Sequence, residues 1–254
     1  MKEIFFLAII FSILSTSLNA QNWVSKTITH DGKINQIDVS LFSEVVFKKG
    51  NKFEMVYTAN EDEIQFVKVQ QSSSKISITV DANRKKDSTK FLLYITLVDN
   101  QPITLQANTV GLVKTEEDKQ IEIGQLHIIF NAVGSICLAL KATKFDLAGS
   151  ALGMLDLNLN VQQFNMTGSA IGTVELKGNA DSVTLDINAL PTLDAKELDT
   201  RKMDAKLNVV NQANLSVSDS LKLEASISKI CLTKKPKQFD KNIDSLSSIC
   251  SMDK

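Results

Sequence analysis

The feature that most constrains the fold is a repeat of about nineteen residues in the second half of the chain. Residues 145–160 read FDLAGSALGMLDLNLN, and residues 164–179 read FNMTGSAIGTVELKGN. Self-similarity at a fixed period is typical of stacked supersecondary units. Successive units begin eighteen to twenty residues apart, at Leu126, Phe145, Phe164, Val183, Met203, Leu221 and Phe239.

Apolar and polar side chains alternate within each unit, which indicates strands rather than helices. One strand–turn–strand unit cannot bury its apolar row alone. Copies that stack at the strand spacing of about 4.8 Å would shelter one another. Phe145 and Phe164 begin equivalent units, so we expect them to be buried on neighbouring rungs, a rung being one unit of the repeat. Before the repeats, residues 34–47 and 90–98 are typical of the shorter alternating strands there.

Small and polar residues recur where each unit must turn. We predict that one glycine-rich position in each unit tolerates the left-handed backbone of a tight corner. Its members are Gly134, Gly153, Gly172 and Asn211. A second recurring position, just before the corner, is polar in each unit. Its side chains could form a ladder of hydrogen bonds along the stack, or they could be small polar residues that only suit a turn. Its members are Asn131, Ser150, Ser169, Asn188 and Asn208.

The chain contains three cysteines, and two of them are one repeat apart. On adjacent rungs, the Cα atoms of Cys231 and Cys250 would be about 5 Å apart, within the range of a disulfide bond. We regard this pair as a candidate disulfide that would hold the C-terminal cap of the stack. Cys137 falls on the outward phase of its strand, and we expect a free thiol there.

The first twenty residues have the pattern of a secretory signal sequence. A charged start at Lys2 is followed by an apolar stretch over 4–14 and by a small residue, Ala20. The apolar stretch is too short to span a bilayer comfortably, and no later stretch approaches that length. We therefore expect an exported protein that is not an integral membrane protein, located in the periplasm, on the outer surface or in the medium.

Three segments follow from these features. We expect a signal peptide over 1–20, an N-terminal β-strand section over 21–124, and β-solenoid repeats with a C-terminal cap over 125–254.

Charge and motif content argue against several functions. The formal net charge is −1, and Arg84 and Arg201 are the only arginines, which disfavours a nucleic-acid partner. The basic runs 84–86 and 234–237 read as solvated loops. His30 and His127 are the only histidines, and the motifs of zinc sites, catalytic triads and calcium-binding β-rolls do not occur. We therefore expect no catalytic residue, metal ion or cofactor.

The enzymatic alternative is a polysaccharide lyase or hydrolase built on the repeats. Paired carboxylates can cleave glycosidic bonds, and outward acids are present. Acids at such positions mostly keep a solenoid soluble. The tryptophan and the tyrosines that could stack on sugar rings, Trp23, Tyr57 and Tyr94, all precede the repeats. We favour a non-catalytic binding or structural module with an unknown partner, a glycan or a protein at the cell envelope. The outward acids are Asp146, Asp156, Glu175, Asp186 and Asp204.

The corners GSALG at 149–153 and GSAIG at 168–172 resemble the "putative auto-transporter adhesin, head GIN domain" family. Residues 34–57, INQIDVSLFSEVVFKKGNKFEMVY, look like the start of that family, and 179–208 match its later repeats in layout. The resemblance covers roughly residues 34–232. This sequence departs from the family where Asn188, Ala189 and Asn211 replace glycines. The resemblance implies an exported parallel β-solenoid or β-roll and assigns no activity.

Together these observations predict an all-β protein. We expect a right-handed parallel β-helix or β-roll-like solenoid with coils of about nineteen residues. An N-terminal strand-rich section of the same module should precede it.

Overall fold

The computed structural model describes residues 22–30, 32–82, 90–99, 101–116 and 120–251. The predicted signal peptide, 1–20, and the basic run 84–86 lie outside the described residues.

Thirteen strands form one open sheet in the described part of the chain, together with one 3₁₀ turn at Ile64–Phe66. No α-helix occurs within these ranges, so the all-β prediction is confirmed. In chain order the strands are β1 (Trp23–Thr29), β2 (Gln36–Ser40), β3 (Glu44–Lys49), β4 (Glu54–Asn60), β5 (Val67–Gln71), β6 (Lys75–Val80), β7 (Leu92–Leu97), β8 (Ile103–Asn108), β9 (Leu112–Thr115), β10 (Ile121–Ser226), β11 (Lys229–Leu232), β12 (Gln238–Ile243) and β13 (Ser248–Ser251).

The sheet is mixed, whereas the sequence predicted a parallel β-helix or β-roll for the repeats, preceded by a strand-rich section of the same module. Strand β10 pairs in parallel with β8, β9, β11 and β12. At the N-terminal side, β4 is antiparallel to both β1 and β7, and β5 is antiparallel to β6. A tight turn joins β5 to β6, closed by a bond from the Ser72 N–H to the Lys75 carbonyl. So short a connection permits only antiparallel pairing.

The 106 residues of β10 form strand interrupted by left-handed corners, at which the chain folds back on itself. A straight strand of this length would span on the order of 350 Å. Instead, residues one repeat apart are in contact. The rings of Phe145 and Phe164 stack with their centroids 5.4 Å apart, and Asn165 donates a hydrogen bond of 2.7 Å to Asp146. The units of the repeat therefore lie beside one another as rungs.

Inward side chains of the rungs form one hydrophobic core with those of the N-terminal strands. Phe145 and Phe164 are completely buried, as the repeat predicts. Full burial of a large apolar side chain is worth about 1.5–3 kcal/mol, so the columns of the core are the main source of stability. One such column contains Ile128, Leu147, Met166, Leu185, Ala205 and Leu223.

The left-handed corners fall on alanine and larger residues, which differs from the sequence prediction. Gly134, Gly153, Gly172 and Asn211 are not among the residues with positive φ. In the repeats, the left-handed residue lies two positions earlier. The described non-glycine residues with positive φ are Leu41, Thr109, Ala132, Ala151, Ala170, Ala189, Val209 and Ile227.

The recurring glycines serve close packing between rungs. A Cβ atom added to Gly153 would lie 2.5 Å from the carbonyl oxygen of Gly134, and one added to Gly172 would lie 2.0 Å from that of Gly153. Gly149 is more restricted still, because its φ is 153° and an added Cβ would lie 1.9 Å from the Phe130 carbonyl oxygen. The backbones approach too closely at these points for any side chain.

The polar position before the corner forms one bond of the predicted ladder. Asn208 donates a side-chain hydrogen bond of 2.9 Å to the Asn188 amide oxygen. Within the described residues, Asn131, Ser150 and Ser169 make no matching side-chain bond, so turn chemistry accounts for them.

The C-terminal rungs carry a covalent link and an exposed lysine in line with one column of the core. Cys231 and Cys250 form a disulfide bond between β11 and β13, with Cα atoms 4.5 Å apart. In β12, Lys241 pairs with Leu223, so it occupies a place that apolar residues take on earlier rungs. Its ammonium group lies 6.0 Å from the ring centroid of Phe239. Cys137 is free and half-buried.

Replacing Gly149 by alanine should lower the free energy of unfolding by at least about 2 kcal/mol, because the new methyl group collides with backbone. Replacing Ala151 by glycine is the control. It should leave stability unchanged or raise it by up to about 1 kcal/mol, because glycine relieves the left-handed strain. Denaturant titration of both variants measures the difference. Equal midpoints would contradict the described corner.

Replacing Cys250 by serine should destabilise the C-terminal rungs by about 3 kcal/mol, since the bond closes a nineteen-residue loop. Hydrogen exchange should accelerate in β11, β12 and β13 and stay unchanged in the rungs around Phe145. The matched control, Cys137→Ser, should exchange like the unmodified protein. Uniform acceleration along the whole chain would contradict a local role.

Candidate functional site

A groove of about 670 Å³ runs along one side of β10. Its lining residues come in triplets that occupy the same place in successive units, at intervals of nineteen or twenty residues. The groove therefore runs across the rungs, parallel to the direction of stacking, and we call it the axial groove. It is lined by 122–124, 141–143, 160–162, 179–181 and 199–201, with Ser218 and Lys234 at one end.

The floor of the axial groove is made by the middle residue of each triplet. These residues are buried, and the apolar ones pack into the hydrophobic core. Thr200 is the polar member of the floor. It is only 3% exposed, and its hydroxyl oxygen has no hydrogen-bond partner. The floor consists of Ile123, Ala142, Val161, Ala180 and Thr200.

Charged side chains line the groove in equal numbers of acids and bases, and all of them are paired. Near one end, Lys141 lies 3.1 Å from Glu122. Toward the other end, Arg201 lies 3.8 Å from Asp181 and 3.4 Å from Asp219, and Lys234 contacts Asp199. The groove thus presents little uncompensated charge to a ligand.

Uncharged amides occupy the middle of the groove. Asn160, Gln162 and Asn179 are exposed, and none has a side-chain hydrogen bond within the described residues. Each amide offers both a donor and an acceptor. Asn160 and Asn179 hold the same position on neighbouring rungs, so the same groups repeat along the groove.

Asp219 closes the charge network beside Arg201. The Lys237 ammonium donates a hydrogen bond of 2.7 Å to its carboxylate, and the Arg201 guanidinium adds another at 3.4 Å. The bond from Lys237 is the main reason that the pKa of Asp219 lies below its ordinary value, and Arg201 adds to the effect.

The acidic residues that the sequence places on outward positions lie outside the axial groove, and most of them form salt bridges with lysines. Glu175 lies 2.8 Å from Lys177, Asp146 lies 2.9 Å from Lys144, and Asp204 lies 3.7 Å from Lys222. Asp186 is exposed.

Asp156 lines a second cavity of about 440 Å³ with Lys114, Cys137 and Lys177. Burial raises the pKa of the Cys137 thiol, and the Asp156 charge adds to that shift. The thiolate form is therefore disfavoured there.

The two histidines have ordinary surroundings. The His30 ring contacts the Ser72 carbonyl through Nε2 at 3.0 Å and the Gly32 N–H through Nδ1 at 2.9 Å. His127 is half-buried on β10 and lines a cavity with Asp146. Across the described ranges, no group of three or more His, Cys, Asp or Glu side chains is arranged to hold a metal ion.

The sequence analysis did not identify the axial groove. Its lining residues fall between the strands that the alternation revealed, and their concave arrangement depends on how the backbone bends. A signal was present nonetheless, because polar residues recur at 141, 160, 179 and 199 with the period of the repeat.

The family model "Putative auto-transporter adhesin, head GIN domain" matches residues 33–229. The chain belongs to this family. A search of curated proteins gave no significant match.

Several solved structures share the fold. One, described as a putative lipid binding protein from Parabacteroides distasonis, has a TM-score of 0.75 and 13% identity, over 92% of this chain and 98% of that one. A putative adhesin from Parabacteroides merdae has a TM-score of 0.73 and 16% identity, with the same coverage of both chains. A putative adhesin from Bacteroides fragilis has a TM-score of 0.61 and 12% identity, again over 92% and 98%.

None of the helical structure in the described ranges is long and apolar enough to cross a bilayer.

Replacing Asp219 by asparagine should destabilise the protein at neutral pH and have less effect in acid. The folded-state pKa is lowered, so the carboxylate stabilises the fold above its unfolded pKa of about 3.9. That contribution disappears as the pH falls through the lower folded-state value. Melting temperatures of both proteins should differ above about pH 5 and converge only as the pH falls below the folded-state pKa, which lies beneath the unfolded value. Asp186→Asn is the control and should change little at any pH.

Proposed function

We propose that this protein is an exported, non-catalytic binding module that acts at the cell envelope or outside the cell. The axial groove would hold an extended partner along the stack. Under this proposal residues 1–20 are removed as a signal peptide, 21–124 form the strand section, and 125–254 form the repeats and their cap. We also propose that the repeats wind as a right-handed parallel β-helix with coils of about nineteen residues.

The observation that carries the proposal is the continuity of the groove. Seven rungs contribute to its lining, from Glu122 to Lys234, so at about 4.8 Å per rung it extends on the order of 29 Å. A site of this length fits a polymer better than a small molecule. Rungs joined by backbone hydrogen bonds also hold the lining in place, which reduces the entropy that binding would cost.

The family and its neighbours support a role at the surface. The family description names an adhesin, and solved neighbours from two genera are described as putative adhesins. The neighbour described as a putative lipid binding protein suggests another ligand class. The rim of the axial groove is polar and charged, which favours a hydrophilic partner over an acyl chain.

A non-catalytic role is supported by how the carboxylates are used. Cleavage of a glycosidic bond needs two carboxyl groups that flank one bond. In the groove, Glu122, Asp181 and Asp199 each contact a cationic side chain. On the other faces, Asp146, Glu175 and Asp204 do the same.

The test is binding to immobilised bacterial and host polysaccharides, with proteins and lipid vesicles included in the panel. Replacing Asn160 and Asn179 together by arginine should obstruct the groove and abolish retention, because the long side chains would occupy the space above Val161 and Ala180. The control places arginines at Thr173 and Thr192, one repeat apart and outside the groove, and should still bind.

Three results would contradict the proposal. Retention that is unaffected by arginines in the groove would place binding elsewhere on the molecule. A complete lack of retention on the panel would favour a purely structural role. Release of shortened saccharides would indicate the lyase or hydrolase that the sequence analysis left open.

A further inference from the structure

The amides of the axial groove differ from several amides elsewhere on the repeats. Outside the groove, Asn208 bonds to Asn188, and Asn165 bonds to Asp146. Inside it, Asn160, Gln162 and Asn179 have no such partner within the described residues. Three uncommitted amides on two neighbouring rungs leave donors and acceptors of both kinds available to a ligand.

The paired charges of the groove limit the charge of that ligand. Glu122 is paired with Lys141, Asp181 with Arg201, and Asp199 with Lys234. A strongly anionic or cationic polymer would have to break these pairs or leave its own charges uncompensated in a narrow groove, and both cost free energy. An uncharged ligand keeps every pair intact.

The spacing of the rungs limits the geometry of the ligand. Asn160 and Asn179 repeat at the strand spacing of about 4.8 Å, which is close to the length that one pyranose unit adds to an extended glycan. An extended peptide advances about 3.3 Å per residue, so its groups would fall out of step with the amides within a few residues. The repeat of the groove therefore matches a sugar chain better than a peptide.

Thr200 supplies an independent observation. Its buried hydroxyl lies in the floor of the groove without a hydrogen-bond partner. Buried polar atoms in native proteins are nearly always paired, and an unpaired one lowers stability. The oxygen is covered by neighbouring atoms, so a ligand hydroxyl could complete it only where the floor shifts on binding.

We propose that the middle of the axial groove binds an uncharged, hydroxyl-rich glycan chain that lies along the stack, with successive sugar units hydrogen-bonded to Asn160 and Asn179. This rests on the proposed binding function. The groove residues include no aromatic side chain, so affinity comes from many hydrogen bonds rather than from stacking on rings. Binding should therefore strengthen with chain length until the oligosaccharide spans about six rung spacings.

The experiment uses the full mature chain with neutral glycans (mannan, dextran and a soluble β-glucan), the anionic polymer alginate, and polylysine. We expect one of the neutral glycans to bind, with an affinity that stays constant between about 50 and 500 mM salt, because no charge is neutralised. Replacing Asn160 and Asn179 by alanine should weaken this binding about tenfold or more, since two hydrogen bonds are lost. The matched control, Asn188→Ala with Asn208→Ala, removes the same groups from neighbouring rungs outside the groove and should change affinity less than about twofold.

Thr200→Val separates binding from stability. Valine has the same shape without the hydroxyl, so the melting temperature should stay the same or rise while glycan affinity falls several-fold. A variant that loses stability and binding together, or one that keeps full affinity, would overturn the assigned role of Thr200.

The remaining outcomes distinguish the glycan inference from the proposed function. If alginate or polylysine binds in a salt-dependent way and arginines at 160 and 179 abolish that binding, the groove is a binding site and the uncharged-glycan inference is wrong. If no polymer responds to those arginines, the glycan inference is wrong, and the proposed function is wrong as well when the proteins and lipid vesicles of the wider panel also show no response.

Discussion

In-register stacking of apolar side chains on successive rungs is the interaction on which the rest of the structure depends. Phe145 lies directly against Phe164, and similar side chains repeat along each inner column. Because each rung shelters the next, the size of a side chain is constrained by the residues above and below it. The same stacking forms the axial groove, because it aligns equivalent residues of successive rungs beside one another.

Much of the fold could be predicted from the sequence because period and alternation report directly on contacts. The nineteen-residue interval predicts that Phe145 contacts Phe164, and this is observed. The corner chemistry was assigned to the wrong residues, because glycine serves both left-handed turns and close approach of backbones. Gly153 and Gly172 allow the close approach of neighbouring backbones. The left-handed conformation is adopted by Ala151 and Ala170 instead. The antiparallel N-terminal strands were missed because no repeat period extends into them.

The candidate site was harder to predict than the fold, for a physical reason. Burial leaves a mark on every strand, whereas a groove depends on the angle at which the backbone turns between strands. Asn160 and Asn179 are ordinary turn residues when each is considered alone. Their significance appears only when the rungs align them beside charge pairs that are already satisfied and beside a buried hydroxyl that is not.

Lys241 on β12 has a consequence for how such a protein avoids self-association. Parallel rungs with exposed backbone edges are the arrangement on which amyloid fibrils grow, and identical solenoids could in principle polymerise end to end. Lys241 is exposed at the end of a core column, and it would have to be buried, still charged, against any newly added strand. That energetic penalty would oppose fibril growth from this edge. The chain can therefore stack its own rungs without adding the rungs of a second molecule at β12.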